Sequence, residues 1–338
     1  MRALRAREQM PVQERELMAS DGPGRGTVVD VEVVGAGRDG RHSSGARRPG
    51  ILGGVIDRIS ANLHPESSEE ALKLSVGCGF GLESVQRAAA IVQVAPRLQP
   101  GVCICSERWE TSAEHHGYVD QYANRCERFD IPAGSTQITY EAQVVLSRPA
   151  DVVALDARET PAGLLPDDVL NFVMPSRFCL PDELGHEAWQ LFGHLEPGWN
   201  RVQMIVDYVH DHLQFVPGGS NPWTTAADAY RAGQGVCRDF AHLAITFCRA
   251  LNIPARYVFG YIPDVGVPPP PEPMDFAAWF EVYLDGRWHT FDARNNTPRI
   301  GRVAVGRGRD AVDVALITSF GPLNLTGFEV QAEPSPGA

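Results

Sequence analysis

The stretch from Gly233 to Asp292 constrains this chain more than any other. It opens Gly-Gln-Gly-Val-Cys237 and continues with Phe240, Leu243, Ala244, Phe247 and Leu251 at helical spacing. Gly233 and Gly235 allow a tight turn just ahead of the cysteine. Asn252 can cap the helix and Pro254 cannot continue it. A strand follows at Ala255-Arg-Tyr-Val-Phe-Gly-Tyr-Ile262, then a proline-rich loop, Pro263 to Pro273, expected to overhang the cysteine. Two further β runs, Phe276 to Leu284 and Arg287 to Asp292, are joined by Asp285-Gly286, a strong hairpin signal. The pattern predicts a helix that starts on Cys237 and packs on an antiparallel sheet.

A cysteine at a helix start meets unpaired N–H groups and the positive end of the helix dipole. Both favour a thiolate, and the same N–H groups can hold an oxyanion once sulfur attacks a carbonyl. Asp239 and His242 lie on the same helix. His242 is five residues past Cys237 and projects in another direction, so capping or packing is expected of both. Cys248, halfway along, is expected in the core.

The rest of the chain divides by pattern. Residues 1–73 include a Gly-, Arg- and Ser-rich stretch with little to bury and are expected to be a disordered tail. Residues 74–150 read as strands without intervening helices, which implies a small β-sandwich. Thr136 to Leu146 is the longest of them, with Ile138, Tyr140, Ala142 and Val144 on one face. Tyr118 to Phe129 carries a turn at Ala123-Asn124. Residues 151–180 read as a linker. Helices are expected from Pro181, from Trp199 to His212 and from Thr225 to Ala232, opening a core that spans 181–330, and 331–338 is read as a tail.

Composition narrows the function classes. At 338 residues the chain has room for two domains. A net charge of −12 argues against a nucleic-acid surface and against adsorption to anionic lipid. No apolar run approaches the roughly 20 residues of a membrane helix, and the N-terminus lacks a secretory signal, so a cytoplasmic location is expected. Lys73 is the only lysine among 30 basic residues, a bias that points to a GC-rich bacterial genome and leaves almost no amine for self-cross-linking. The seven cysteines form no C-x-x-C pair, so neither a zinc site nor a thioredoxin-like redox pair is indicated; no metal or cofactor is expected.

The segments G-x-G-V-C-R-D-F-A-H-L, N-I-P-A-R-Y-V-F-G-Y, A-W-F-E-V-Y-L-D-G-R-W and T-F-D-A-R-N-N resemble the bacterial transglutaminase-like family, within the papain-like cysteine-protease superfamily. The likeness covers about residues 74 to 330. It implies an α+β fold, a β-sandwich-like N-terminal domain followed by a papain-like core, with Cys237 as nucleophile and Asp292 as the carboxylate behind the base. The base is where this chain departs. The family reads M-D-F-H-A-W-F-E, and here the histidine's place is taken by Ala277. Alanine can neither deprotonate a thiol nor protonate a leaving amine. A second departure is Asn295, where relatives often carry D-A-R-H-N.

Other residues could complete a site. His289 precedes Asp292 by three, so on a strand it points to the opposite face, and a half-exposed strand position is its expected role. His210 and His212 have no spacing argument in their favour. Trp223 could support an oxyanion through its indole N–H, or anchor a loop by packing, and Trp279 could line the groove or pack across strands with Trp288. Arg256 and Arg294 could bind a carboxylate, with ordinary surface pairing as the default.

The expected function is that of a transglutaminase-like cysteine hydrolase or acyltransferase acting on an amide of peptide or glutamine type through a thioester. Its partners would be a protein or peptide substrate and water or an amine acceptor. Ala277 reduces this to residual catalysis, on the order of 10³–10⁴ over water in disarmed triads, with deacylation slowed. The alternative is a catalytically inactive relative that uses the groove to bind peptide or as a scaffold.

Overall fold

The computed structural model describes residues 71–147, 150–270 and 273–335. The expected N-terminal tail therefore lies outside the described residues, except for Ala71 to Lys73, which lead into the first strand.

Six strands come first: β1 (Leu72–Ser84), β2 (Ala88–Val92), β3 (Val102–Thr111), β4 (Glu114–Val119), β5 (Arg125–Ile131) and β6 (Gly134–Leu146). The alternation read along β6 is real, since Ile138, Tyr140, Ala142 and Val144 are all buried. They lie beside Leu74, Val76 and Phe80 of the neighbouring β1 and join Phe129 of the other sheet in one apolar cluster. Ala123 adopts a left-handed conformation in the turn that joins β4 to β5.

Four helices follow: α1 (Gly185–Phe192), α2 (Trp199–His212), α3 (Ala226–Ala232) and α4 (Cys237–Ala250). Two short strands, β7 (Gln214–Phe215) and β8 (Gln234–Gly235), pair in parallel between them. Then come β9 (Ala255–Tyr261), β10 (Ala277–Leu284), β11 (Arg287–Phe291) and β12 (Val303–Gly308), in the order β11-β10-β9-β12. The Asp285-Gly286 turn has both residues at positive φ, 52° and 78°, as a two-residue hairpin of this hand demands. Gly260 is a packing necessity, because a Cβ there would meet the Val303 carbonyl oxygen at 2.2 Å and force β9 and β12 apart.

α4 is the centre of the second core. It is buried on nearly every side, from Arg238 to Arg249, packed between α1, α2, α3 and the β9–β10 face of the sheet. A helix surrounded in this way must satisfy its polar residues internally. Arg249 does so by donating to the carbonyls of Met174, Ala255 and Arg309 and to Ser176. Those bonds bind the 174–176 segment into the core, where Phe178 and Cys179 are fully enclosed. The later part of the range read as a linker is thus packed structure.

The chain ends where it began. β13 (Ile317–Phe320) joins β2, and β14 (Asn324–Pro334) joins β1, giving the orders β13-β2-β5-β4 and β14-β1-β6-β3. Strands placed by sequence in the core and the C-terminal tail therefore complete the two N-terminal sheets. Nothing local marks a strand whose partner is about 260 residues away, as Leu74 is from Pro334.

Candidate active site

Cys237 is set in place from both sides. Upstream, Gly233 ends α3 in a left-handed conformation, and β8 leads into Val236. Downstream, Asp239 folds back so that its Oδ2 accepts the Val236 N–H at 2.8 Å, capping α4 as expected. Gly235 is required here, because a Cβ would lie 2.7 Å from Cβ of Asp239. Asp239 also forms a fully buried ion pair with Arg238 at 3.1 Å. Arg238 donates onward to the Asn221 carbonyl at 2.8 Å, which fastens the loop carrying Trp223 beside the start of α4.

The thiol is not a ready anion. Cys237 keeps some accessible surface, but its sulfur is crowded by protein atoms. Burial pushes the thiol up to about 11, and the negative charge of Asp275 adds to the effect. Arg294 and the backbone N–H of Ala278 pull the other way and lose. Burial and the Asp275 charge thus oppose the helix end, which by itself favours a thiolate. Asp275 retains exposed surface, yet the atoms packed around its carboxyl pull it up as well.

Ala277 opens β10 opposite Gly260, next to the residue whose N–H approaches the sulfur. In β10, Ala278, Phe280, Val282 and Leu284 face the helices. Ala277, Trp279 and Glu281 alternate onto the other face. Asp292 follows β11 onto that same face, where Arg302 reaches both it and the Trp279 ring, its guanidinium carbon 5.0 Å from the ring centroid. Strand alternation in the sequence sets His289 on the side away from Asp292, as it is found.

The surroundings of Asp292 could not be read from sequence. Its Oδ1 accepts the N–H groups of Arg294 and Asn295 at 3.0 and 2.9 Å. Its Oδ2 accepts Nδ2 of Asn295 at 2.8 Å and the Arg302 guanidinium at 2.9 Å. Four donors match the roughly four acceptor positions of a carboxylate. Arg302 is buried in turn against Asp151, at 2.8 Å. The carboxylate has become the hub of a turn and an ion-pair chain, and one of the two departures, Asn295, binds it directly.

Among the described residues no histidine takes the vacated role. His242 is fully buried, its Nε2 accepting the Ala311 N–H at 3.2 Å and its ring stacked on Phe178. Burial holds it well below the ordinary imidazole range. His289 is buried rather than half-exposed. It sits opposite Val282 on the helix-facing side, with its ring edge-on to Trp199. His210 binds the Ala293 carbonyl at 3.1 Å and His212 the Tyr230 carbonyl at 2.8 Å.

The tryptophans part company. Trp279 is buried among Val258, Ile262 and Ala304, which makes it packing rather than a groove wall. Trp223 is 66% exposed, which excludes the packing reading and leaves its indole at the surface. Arg256 pairs with Glu281 and lies over Trp288, but the pair is largely buried rather than the surface pair expected. Arg294 does not follow that default, because none of the ion pairs among the described residues includes it. Arg302 was missed in sequence because no motif announces it, whereas Asp275 stands inside the M-D-F-H-A-W-F-E segment and was passed over.

Comparison with known proteins supports this picture. Residues 190–293 match the model of a family described as the transglutaminase-like superfamily. An uncharacterised protein of Mycobacterium leprae is 25% identical over 233 residues, spanning 66% of this chain and 82% of that one. One from Mycobacterium tuberculosis is 33% identical over 121 residues, 32% of this chain and 38% of the other. The crystal structure of a candidate cysteine protease from Cytophaga hutchinsonii superposes with a TM-score of 0.71 at 28% identity, covering 79% of this chain and 92% of that one.

Proposed function

We propose, from the premise that residues 190–293 of this chain form a transglutaminase-like core, that the protein engages an amide of peptide or glutamine type at Cys237 but does not turn it over at an enzymatic rate. The observation that carries this reading is the state of Asp292. With Ala277 in the histidine's place, the carboxylate that would orient an imidazole is occupied by Arg302 and by the Asn295 side chain.

The chemical consequence follows from proton bookkeeping. In the family's reaction the sulfur bonds to the carbonyl carbon, the thiol proton passes to the histidine, and the histidine returns it to the departing amine. Here no side chain receives that proton, and the thiol begins near 11. Attack is confined to the small thiolate fraction, and an amine must leave without an acid. Activated esters, whose leaving groups need no proton, remain within reach and would leave an acyl group on sulfur. Retention of the glycine turn and of Cys237 at the helix start favours this second, acyl-holding reading over a purely inert scaffold.

No helix among the described residues is long and apolar enough to cross a membrane. A cytoplasmic bacterial setting belongs to the same proposal. The test is restoration. Wild type and Ala277→His are compared for peptide-amide hydrolysis, amine incorporation into a glutamine peptide, and acylation by a p-nitrophenyl ester followed by intact mass. A stable acyl adduct on wild-type Cys237 with amide turnover only in the variant supports the proposal. Amide turnover by the wild type at rates ordinary for enzymes, roughly 1 s⁻¹ or faster, refutes it.

A further inference from the structure

We propose that Arg294 is a carboxylate-binding residue of the Cys237 site, so that the compounds engaged there carry a free carboxylate close to the reacting carbonyl. This rests on the reading of Cys237 as the point of substrate contact and adds the substrate's charge to it.

The guanidinium is held in place by an ordered turn. The Arg294 N–H is fixed on Asp292 Oδ1 at 3.0 Å, and the turn closes through the Asn296 N–H on the Asp292 carbonyl at 2.9 Å. α2 clamps it from outside, with His210 on the Ala293 carbonyl at 3.1 Å and Asp207 accepting Asn296 Nδ2 at 3.0 Å. From this base the side chain reaches over Phe215, its guanidinium carbon 4.1 Å from the ring centroid. Phe215 is 41% exposed and is paired with Gly235, two residues before Cys237. Stacking leaves the in-plane N–H groups of an arginine free to fork onto a carboxylate.

The absence of a partner is informative in a chain this acidic, with 42 acidic residues to 30 basic. The two other arginines nearest the site are both neutralised, Arg238 by Asp239 and Arg302 by Asp151 and Asp292. Among the described residues Arg294 has no carboxylate within 4.0 Å. Asp275 is the one acidic group whose field it shares. That carboxyl accepts the Phe276 N–H at 2.7 Å and makes no ion pair with Arg294. The seat of Arg294 over Phe215, which pairs with Gly235 two residues before Cys237, sets the guanidinium on the approach to the start of α4, and its charge eases both the Asp275 carboxyl and the Cys237 thiol downward.

The test uses two alkylating agents that differ in charge. With either, the thiolate displaces iodide, an S–C bond forms, and the thiol proton goes to buffer. Rates at Cys237 in the full-length protein are measured by peptide mass spectrometry for iodoacetate and iodoacetamide, in wild type, Arg294→Gln and Arg294→Lys, with circular dichroism confirming the fold. Because Arg294 also eases the thiol, its loss slows both reagents, and the readout is their ratio. The proposal expects saturable iodoacetate kinetics in wild type and a fall of about tenfold in the iodoacetate-to-iodoacetamide ratio in Arg294→Gln. Arg294→Lys should keep part of the preference, as a point charge without the fork. Protection by acetyl-Ala-Gln with a free C-terminus, against acetyl-Glu-amide, then tells a terminal carboxylate from a side-chain one. An unchanged ratio in Arg294→Gln overturns the proposal while leaving the reading of Cys237 intact. Failure of both reagents to reach Cys237 in the folded protein overturns both.

Discussion

Replacing Ala277 by histidine should convert Cys237 from a slow thiol into a fast one, and the size of the change follows from the structure. With the thiol at about 11, the thiolate fraction at pH 7.5 is roughly 3 × 10⁻⁴, against about 10% for an ordinary cysteine. Ionisation alone therefore makes Cys237 about 300-fold slower than a free thiol. A more basic sulfur is a better nucleophile by about 0.4–0.5 log units per pKa unit, which recovers roughly tenfold. The net expectation is a wild-type Cys237 some 20- to 30-fold slower than free cysteine toward a neutral disulfide such as 4,4′-dithiodipyridine. An imidazole at 277 that brings the thiol to about 6 fills the thiolate state, a gain of about 3,000-fold, and gives back about 200-fold in nucleophilicity. The variant should then react about 20-fold faster than wild type at pH 7.5. Its rate should level off above about pH 7, while the wild-type rate climbs through pH 10. The assay follows thiopyridone release in a Cys103→Ser/Cys105→Ser background, since Cys105 is exposed and Cys103 half-buried, with the mixed disulfide mapped to Cys237. A wild-type rate that levels off below pH 8 would show that the helix end prevails over burial and would refute the reasoning.

Three further outcomes are expected. Adding Asn295→Ala to Ala277→His removes one donor from Asp292 Oδ2, and ester hydrolysis by the double variant should exceed that of the single variant by about tenfold, because the freed carboxylate can fix the imidazole tautomer. Glu281→Gln leaves Arg256 and Arg307 facing each other without their shared carboxylate and should cost about 3–5 kcal/mol in urea unfolding. Burial alone would lift Glu281, but Arg307 and Arg256 hold it down to about 2. Its contribution is therefore full above about pH 4.5 and disappears as pH falls toward 2, so the gap between wild type and Glu281→Gln should close over that window. Asp239→Ala removes the α4 cap and strands Arg238 in the interior. A loss of about 3–5 kcal/mol is expected by the same measurement, and a mild surface-type effect below about 0.5 kcal/mol would contradict the buried pair.

What the sequence disclosed, and what it withheld, divides along contact distance. The span of α2, the start of α4 at Cys237 and the β10–β11 hairpin all rest on periodicity, glycine placement and an Asp-Gly turn, signals spread over a few neighbouring residues. The side of β11 from which His289 looks away from Asp292 followed from strand alternation alone, but its burial did not, because Trp199 reaches it from another element. The partners of Asp292 escaped because Arg302 carries no motif and Asn295 registers in sequence only as a departure. The thiol state escaped for a different reason. A helix N-terminus is visible in sequence, whereas the packing that desolvates its first side chain is the sum of many remote contacts.

The return of β13 and β14 to the first two strands has a cost during synthesis. Leu74 waits for Pro334, some 260 positions later, and at about 5–20 residues per second that interval is roughly 13–50 s. Throughout it the open sides of β1 and β2 present unpaired backbone groups to any passing strand. A nascent or C-terminally clipped chain should therefore be the species that chaperones capture and that aggregates, even though everything around Cys237 has by then been made.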